Sequence, residues 1–223
     1  MLRSGALELD RRWALLDSRG RFVNGKNCAE VHSVRAGYDL ANREVSLNGQ
    51  TFSLDRQGAE IAQWFSTVLG EPVTWQENAE VGFPDDLDSP GPTFVSTASL
   101  QQVAGWFGFG LDAARRRFRT NVEFEAPQAF WEDQLYGSRF RVGGVEVEAV
   151  NPCQRCVVPS RDPLTGASLE GFQKRFAQRR EAELPQFARR AGFTHFYRLA
   201  VNTRIAATEA GKTIQVGDPL SAG

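Results

Sequence analysis

The sequence predicts a mainly β, α+β fold with a few helices, opening on a β-barrel-like N-terminal module. Three observations predict it. Short runs alternating apolar and polar residues recur along the chain, separated by Asn, Asp and Gly turn signals. Helical spacing of apolar residues is confined to a few stretches. A Pro-, Gly- and Asp-rich segment, residues 78–92, lies between two β-rich halves as a linker or functional loop.

The elements follow in order. Residues 12–17 form a strand, turn at Asp17-Ser18-Arg19-Gly20 and resume at Arg21, which is a hairpin signal with Gly20 available for positive φ. Residues 31–40 and 43–54 are β-rich runs, and Asn48-Gly49 predicts a two-residue hairpin. The first 55 residues thus read as a β-meander or small barrel. In residues 56–69, Ile61, Trp64, Phe65, Val68 and Leu69 fall at helical spacing, with Gly70 and Pro72 as stop signals. A second helix covers 97–107, with Leu100, Val103, Ala104 and Phe107 on one face and Ser96 or Thr97 as its cap. Residues 121–158 return to the β pattern, alternating around Gly143-Gly144. Residues 168–192 are charged, with Phe172 and Phe176 four apart and Pro185 interrupting, and read as one or two surface helices. Residues 194–206 and 212–220 are strands again. There is no internal repeat. The expected division is 1–78 and 79–223.

Composition bounds the function. The chain has 223 residues, 26 Lys+Arg against 27 Asp+Glu, and a net charge of −1. That balance argues against a general nucleic-acid or acidic-membrane binder. The Arg115–Arg117 run and the basic cluster at 174–190 then read as solvated helix faces, because acids are interspersed. No apolar run approaches the ~18 residues of a membrane span. The first ten residues hold no apolar signal-peptide core. Three cysteines argue against a secreted disulfide framework, so a cytoplasmic protein is expected.

The densest constellation is Asn151–Gly166, which holds Cys153 and Cys156 as C-x-x-C with Arg155 between them. Four readings compete. A zinc site would need Cys28 and His32 to complete the tetrahedron. A thioredoxin-like redox pair would need a helix N-terminus after the motif, whereas Val157-Val158-Pro159 follows. Both cysteines can be small buried residues. One thiolate can also ligate a soft metal that another molecule brings with it, and a neighbouring arginine favours that anion.

The stretch resembles the cofactor loop of MOSC domains, whose pattern is Cys-x-Arg-Cys followed by Asp-Pro-x-Thr-Gly. Here it reads Cys153-Gln154-Arg155-Cys156 and Asp162-Pro163-Leu164-Thr165-Gly166. Phe118-Arg119-Thr120-Asn121-Val122, Ser96-Thr97-Ala98-Ser99-Leu100 and Gly217-Asp218-Pro219 resemble three further family elements in the same order. Residues 5–20, with Asp10-Arg11-Arg12-Trp13, are similar to the N-terminal β-barrel that precedes the MOSC β-barrel in relatives such as the amidoxime-reducing components.

The resemblance implies the molybdenum cofactor, Mo-molybdopterin, with Cys156 as metal ligand and catalytic centre. It implies cofactor-binding roles for Arg11, Asp88, Ser89, Arg119, Asn121 and Gln154, the arginines serving as phosphate donors. The structural alternatives are an Arg11 pair with Asp10 or Asp17, an Arg119 within the solvated basic run, and an Asn121 that merely starts a strand. His195 is a candidate proton donor or an ordinary strand histidine. The implied activity is an oxidoreductase that removes oxygen from small N-oxygenated (N-hydroxylated) substrates at molybdenum. With no flavin fingerprint and no four-cysteine iron–sulfur run, it implies a separate electron donor: a ferredoxin, cytochrome or reductase. The alternatives are a cofactor or sulfur carrier, as in MOSC domains joined to pyridoxal-phosphate sulfurases, and a fold that has lost its cofactor. The relatives' Pro-x-Lys-Ser strand, which contacts the phosphate, is not found here, and the chain is expected to start after it.

Overall fold

The computed structural model describes residues 1–188 and 193–222. Among them are twelve strands and four α-helices. The first half holds two three-stranded sheets. One consists of β1 (Trp13–Asp17), β2 (Phe22–Val23) and β6 (Val73–Glu77), in the order β2-β1-β6. The other is the meander β3 (Ala36–Asp39), β4 (Glu44–Leu47) and β5 (Gln50–Ser53). Of the meander or small barrel expected over the first 55 residues, β3-β4-β5 is the meander, while β1 and β2 form a separate small sheet that needs β6 from beyond the helix to complete it.

Local chemistry places these elements. Gly20 turns the first hairpin at φ +75°, and Leu15 pairs with Val23. Asn48 and Gly49 both take positive φ, +47° and +90°, as a type I′ turn demands. Helix α1 (Gly58–Leu69) ends on Gly70 in the left-handed region and buries Ile61 and Phe65. The 31–40 run is only half strand: Glu30–Ser33 is a single 3₁₀ turn, and Val31 packs against the N-terminal core.

The second half is built on a six-stranded, barrel-like sheet in the order β12-β9-β10-β11-β7-β8. Its strands are β7 (Phe94–Ser96), β8 (Val122–Phe124), β9 (Arg139–Val142), β10 (Val145–Gln154), β11 (Arg198–Arg204) and β12 (Leu220–Ala222). β9 and β10 join through Gly143-Gly144, as the alternation predicts. Of the expected 212–220 strand only Leu220 onward is extended. Gly211 and Gly217 have positive φ, and Asp218 accepts from the Gln215 amide at 2.8 Å, which makes that stretch turns.

Helices α2 (Thr97–Phe107), α3 (Leu111–Phe118) and α4 (Phe172–Ala182) cover one face. Phe118, Phe172 and Phe176 are fully buried against Val103, Tyr197 and Leu199, each Phe contributing up to about 3 kcal/mol of apolar transfer. Two arginines expected on solvated faces are interior instead: Arg117 is 7% exposed and Arg180 1%. Arg180 pairs with buried Asp133 and lies over the Phe130 ring at 3.9 Å. Residues 189–192, the end of the predicted 168–192 helical stretch and of the basic cluster, lie outside the described residues.

The N-terminal residues pack on the second half. Met1 touches the core around Phe140 and Val147, and a Cβ on Gly5 would lie 2.4 Å from the Ile205 carbonyl oxygen. Among the described residues no helix is long and apolar enough to cross a membrane.

Candidate functional site

Strand β10 delivers the C-x-x-C motif. Its pairing with β11 is irregular between Ala149 and Asn151 and between Pro152 and Gln154, so the strand bends where it nears the cysteines. Cys153 ends in the helix-side core, 9% exposed, and its sulfur receives Arg155 Nη1 at 3.3 Å. Cys156 lies past the strand end and is half-buried. Its carbonyl accepts from the Tyr197 hydroxyl at 3.1 Å, and its Sγ has no hydrogen-bond partner among the described residues. All three cysteines are free thiols. A three-residue 3₁₀ turn, Val158–Ser160, follows the motif, so the helix dipole of a thioredoxin-like pair is absent.

Arg155 is the hub of this corner. Its Nη2 donates to the Phe118 carbonyl at the end of α3, and its guanidinium lies 5.6 Å from the Phe118 ring. Tyr197 packs on Phe172 and Phe176. Burial pushes its phenol above the usual range, against the pull of the Arg155 charge.

Downstream, Asp162–Gly166 closes on itself. Asp162 Oδ1 accepts from the amides of Leu164 and Thr165, both at 2.9 Å, and from the Thr165 hydroxyl at 3.1 Å. Those bonds hold the Asp162 carboxyl below the usual carboxylate range.

The remaining expected residues divide. Arg119 caps α3 at φ +50°, and its exposed side chain has no partner among the described residues. Gln154 is exposed at the end of β10. Arg11, also at φ +50°, faces Asp10 at 3.5 Å. Asn121 is occupied: its Oδ1 accepts from the Thr93 amide and hydroxyl, both at 3.0 Å, pinning the parallel strands β7 and β8. Asp88 and Ser89 sit elsewhere. The Asp88 carbonyl accepts from Arg204 Nε at 2.9 Å, and Ser89 donates to Asp86 at 2.5 Å. Arg204 is six residues along β11 from Arg198, the partner of Gln154, up to about 20 Å of extended strand. His195 Nδ1 accepts from the Tyr197 amide at 3.2 Å, and burial, aided by Arg198, lowers its pKa.

The zinc reading is overturned. Cys28 belongs to the N-terminal core and donates to Glu30 at 3.3 Å, while His32 Nε2 lies 3.3 Å from the Gly25 carbonyl. Among the described residues no three His, Cys, Asp or Glu converge on a metal position. Two surface clefts, of about 360 and 320 Å³, lie at Trp106–Arg179 and Gln50–Val68, away from Cys156.

The sequence reading passed over Arg117 and Tyr197. A signal existed for the first: Ala114, Arg117 and Phe118 repeat at i, i+3, i+4 and form the buried face of α3.

The family comparison matches residues 93–221, more than half the chain, to the MOSC domain. The chain belongs to the MOSC domain family. Its cysteine loop, Arg119 and Asn121 fall within the MOSC match, whereas Arg11, Asp88 and Ser89 precede it. Among curated proteins, the molybdenum cofactor sulfurase of Drosophila melanogaster is 24% identical, covering 75% of this chain and 26% of its own length. The Drosophila erecta sulfurase is 23% identical over the same shares. The mitochondrial amidoxime reducing component 2 of Bos taurus is 26% identical, covering 74% of this chain and 60% of its own. The chain thus spans about a quarter of the sulfurases and three fifths of the reducing component.

The donor set at this corner of the MOSC domain fits a pterin-bound molybdenum. A soft metal needs a thiolate, and the Cys156 sulfur is unpartnered. A pterin phosphate needs cationic donors, and Arg119 is uncommitted. Two buried guanidinium nitrogens of the same loop, Arg155 Nε and Arg161 Nε, have no protein acceptor.

Proposed function

We propose that this protein is a molybdenum-cofactor-dependent oxidoreductase of small N-oxygenated substrates such as amidoximes, with Cys156 as the protein ligand of the metal. The observation that carries the reading is the half-buried Cys156 thiol, left without a partner in a motif whose other side chains are nearly all committed. The likeness to the amidoxime reducing component supports the reaction class.

When bound, the cofactor supplies the two-electron and oxygen-atom chemistry. The chain's own residues hold it. Cys156 provides the thiolate, and Arg119 and Arg11 provide guanidinium donors for the phosphate. Exposed Gln154 offers an amide to the pterin. Asn121 acts through the β7–β8 junction. Asp88 and Ser89 complete the site only by approach of the 78–92 loop. Tyr197 orients the Cys156 peptide through its hydroxyl, and Arg155 ties that peptide to α3. Burial, aided by the Arg198 charge, lowers the pKa of His195 and disfavours its imidazolium form. Electrons come from a separate ferredoxin, cytochrome or reductase, and the protein works in the cytoplasm.

The test is anaerobic turnover of benzamidoxime by cofactor-loaded protein with dithionite-reduced viologen, which needs no protein donor. Turnover well above that of free cofactor is expected. Turnover equal to free cofactor overturns the reductase reading in favour of a cofactor or sulfur carrier, which the sulfurase likenesses support.

A further inference from the structure

We propose that the 25–35 segment, which links β2 to β3, is the seat of the cysteine loop, and that Arg35 and Arg117 are positioning residues that hold the Cys156 sulfur from two different elements. The inference deepens the molybdenum reading and rests on it for the identity of the ligand. The loop from Val157 to Gly166 has only the three-residue 3₁₀ turn Val158–Ser160 and the Asp162–Gly166 turn of its own. Such a segment is mobile unless its neighbours hold it. A metal-binding group must stay within roughly 0.5 Å of its productive place.

Two grips supply that constraint. From α3, Arg117 Nη1 donates to the Pro159 carbonyl at 3.1 Å and to the Arg161 carbonyl, while Nη2 faces Asp162 at 3.6 Å. Its guanidinium lies 4.2 Å from the Phe109 ring, so the clamp is itself packed in place. The second grip comes from the 25–35 segment. Arg35 forks between two carbonyls, Nη1 donating to His32 and Nη2 to Leu164, both at 2.8 Å. Gly166 sits at φ +74° against this segment; a Cβ there would lie 2.6 Å from the Ala29 oxygen. Gly25 leaves room on the same surface: its Cβ position is 2.7 Å from His32 Nε2 and 3.5 Å from Val158 Cγ2. The Arg117 contacts span 42 to 45 positions and the Arg35–Leu164 bond 129, and both grips converge on the loop that follows Cys156.

Arg35 is exposed, so Arg35→Ala tests the grip without opening a core. The measurement is the rate at which iodoacetamide labels Cys156 in cofactor-free full-length protein, followed on the Cys156 peptide, with Cys153 as internal reference. Arg35→Ala is expected to speed Cys156 labelling roughly fivefold, equivalent to about 1 kcal/mol of loop opening, with Cys153 unchanged. Gly166→Ala, which drives the turn off its seat, is expected to do the same. Both variants should also retain less molybdenum after gel filtration than the wild type. Arg35→Lys keeps the charge but not the fork, and should label like Arg35→Ala. Wild-type Cys156 labelling in both Arg35→Ala and Gly166→Ala overturns the proposal, as does an equal rise at Cys153, which marks general loosening. A wild-type protein that retains no molybdenum overturns the cofactor reading alone, because the labelling rates still decide the seating.

Discussion

The Ser96–Leu100 and Cys153–Gly166 segments both carry family motifs, yet the structure uses them oppositely. The serine segment is closed. Ser96 caps α2 by accepting from the Ser99 amide, and Ser99 Oγ accepts from the Phe130 amide at 2.6 Å and donates to Glu132 at 2.8 Å. Every hydroxyl there builds the fold. In the cysteine segment Asp162, Thr165, Arg155 Nη1 and Cys153 have partners, whereas the Cys156 sulfur, the exposed Gln154 amide and the Nε groups of Arg155 and Arg161 have none among the described residues. Motif residues therefore divide into those that build the scaffold and those it leaves with free bonding capacity. Only the second kind meets a ligand directly.

Substitutions sharpen that division. The largest stability effect belongs to the core under the loop. Phe176→Ala should cost about 3–5 kcal/mol in urea unfolding, since Phe176 is fully buried among Phe172, Phe118 and Tyr197. Next comes the serine cluster. Glu132 is 1% exposed, its Oε1 has no partner, and burial, with Asp133 adding to it, pushes its carboxyl up to about 7. The folded state then binds a proton that the unfolded state releases near 4.5. Stability is full below that value and falls as pH rises through 7, by up to roughly 3 kcal/mol. Urea midpoints from pH 5 to 8 should show this decline, and Glu132→Gln should flatten it. A wild-type curve level across that range contradicts the assignment. Asn121→Ala strips the buried Thr93 amide and hydroxyl of their acceptor, which should cost about 1–3 kcal/mol. The smallest effect marks the other class: Arg119→Ala should change stability by no more than about 0.5 kcal/mol while lowering the molybdenum retained.

What was legible in the sequence follows the same physics. Asn48-Gly49, Gly70 and the Ser96 cap rest on chemistry within a few residues, and each lies where the pattern places it. The helical face of Phe172 and Phe176 is local in the same sense, and α4 forms there. The place of Arg117 on the buried face of α3 follows the i, i+3, i+4 repeat with Ala114 and Phe118, but its role was hidden because its carbonyl acceptors come from 42 and 44 residues away. The attachment of Asp88 to Arg204, 116 residues distant, depends on which strand end the 78–92 loop reaches. Likewise β6, which completes the first sheet, arrives only after α1 returns the chain. Cys156 was nameable from its motif. The resemblance already set it apart from Cys153; the structure adds that one sulfur is unpartnered and the other accepts a hydrogen bond from Arg155.

That distinction is measured most directly as molybdenum per chain in Cys156→Ala and Cys153→Ala protein, purified from a cofactor-competent host. The account predicts that the first variant loses the metal and the second keeps it. Equal retention or equal loss in the two would contradict the assignment of Cys156 as the ligand.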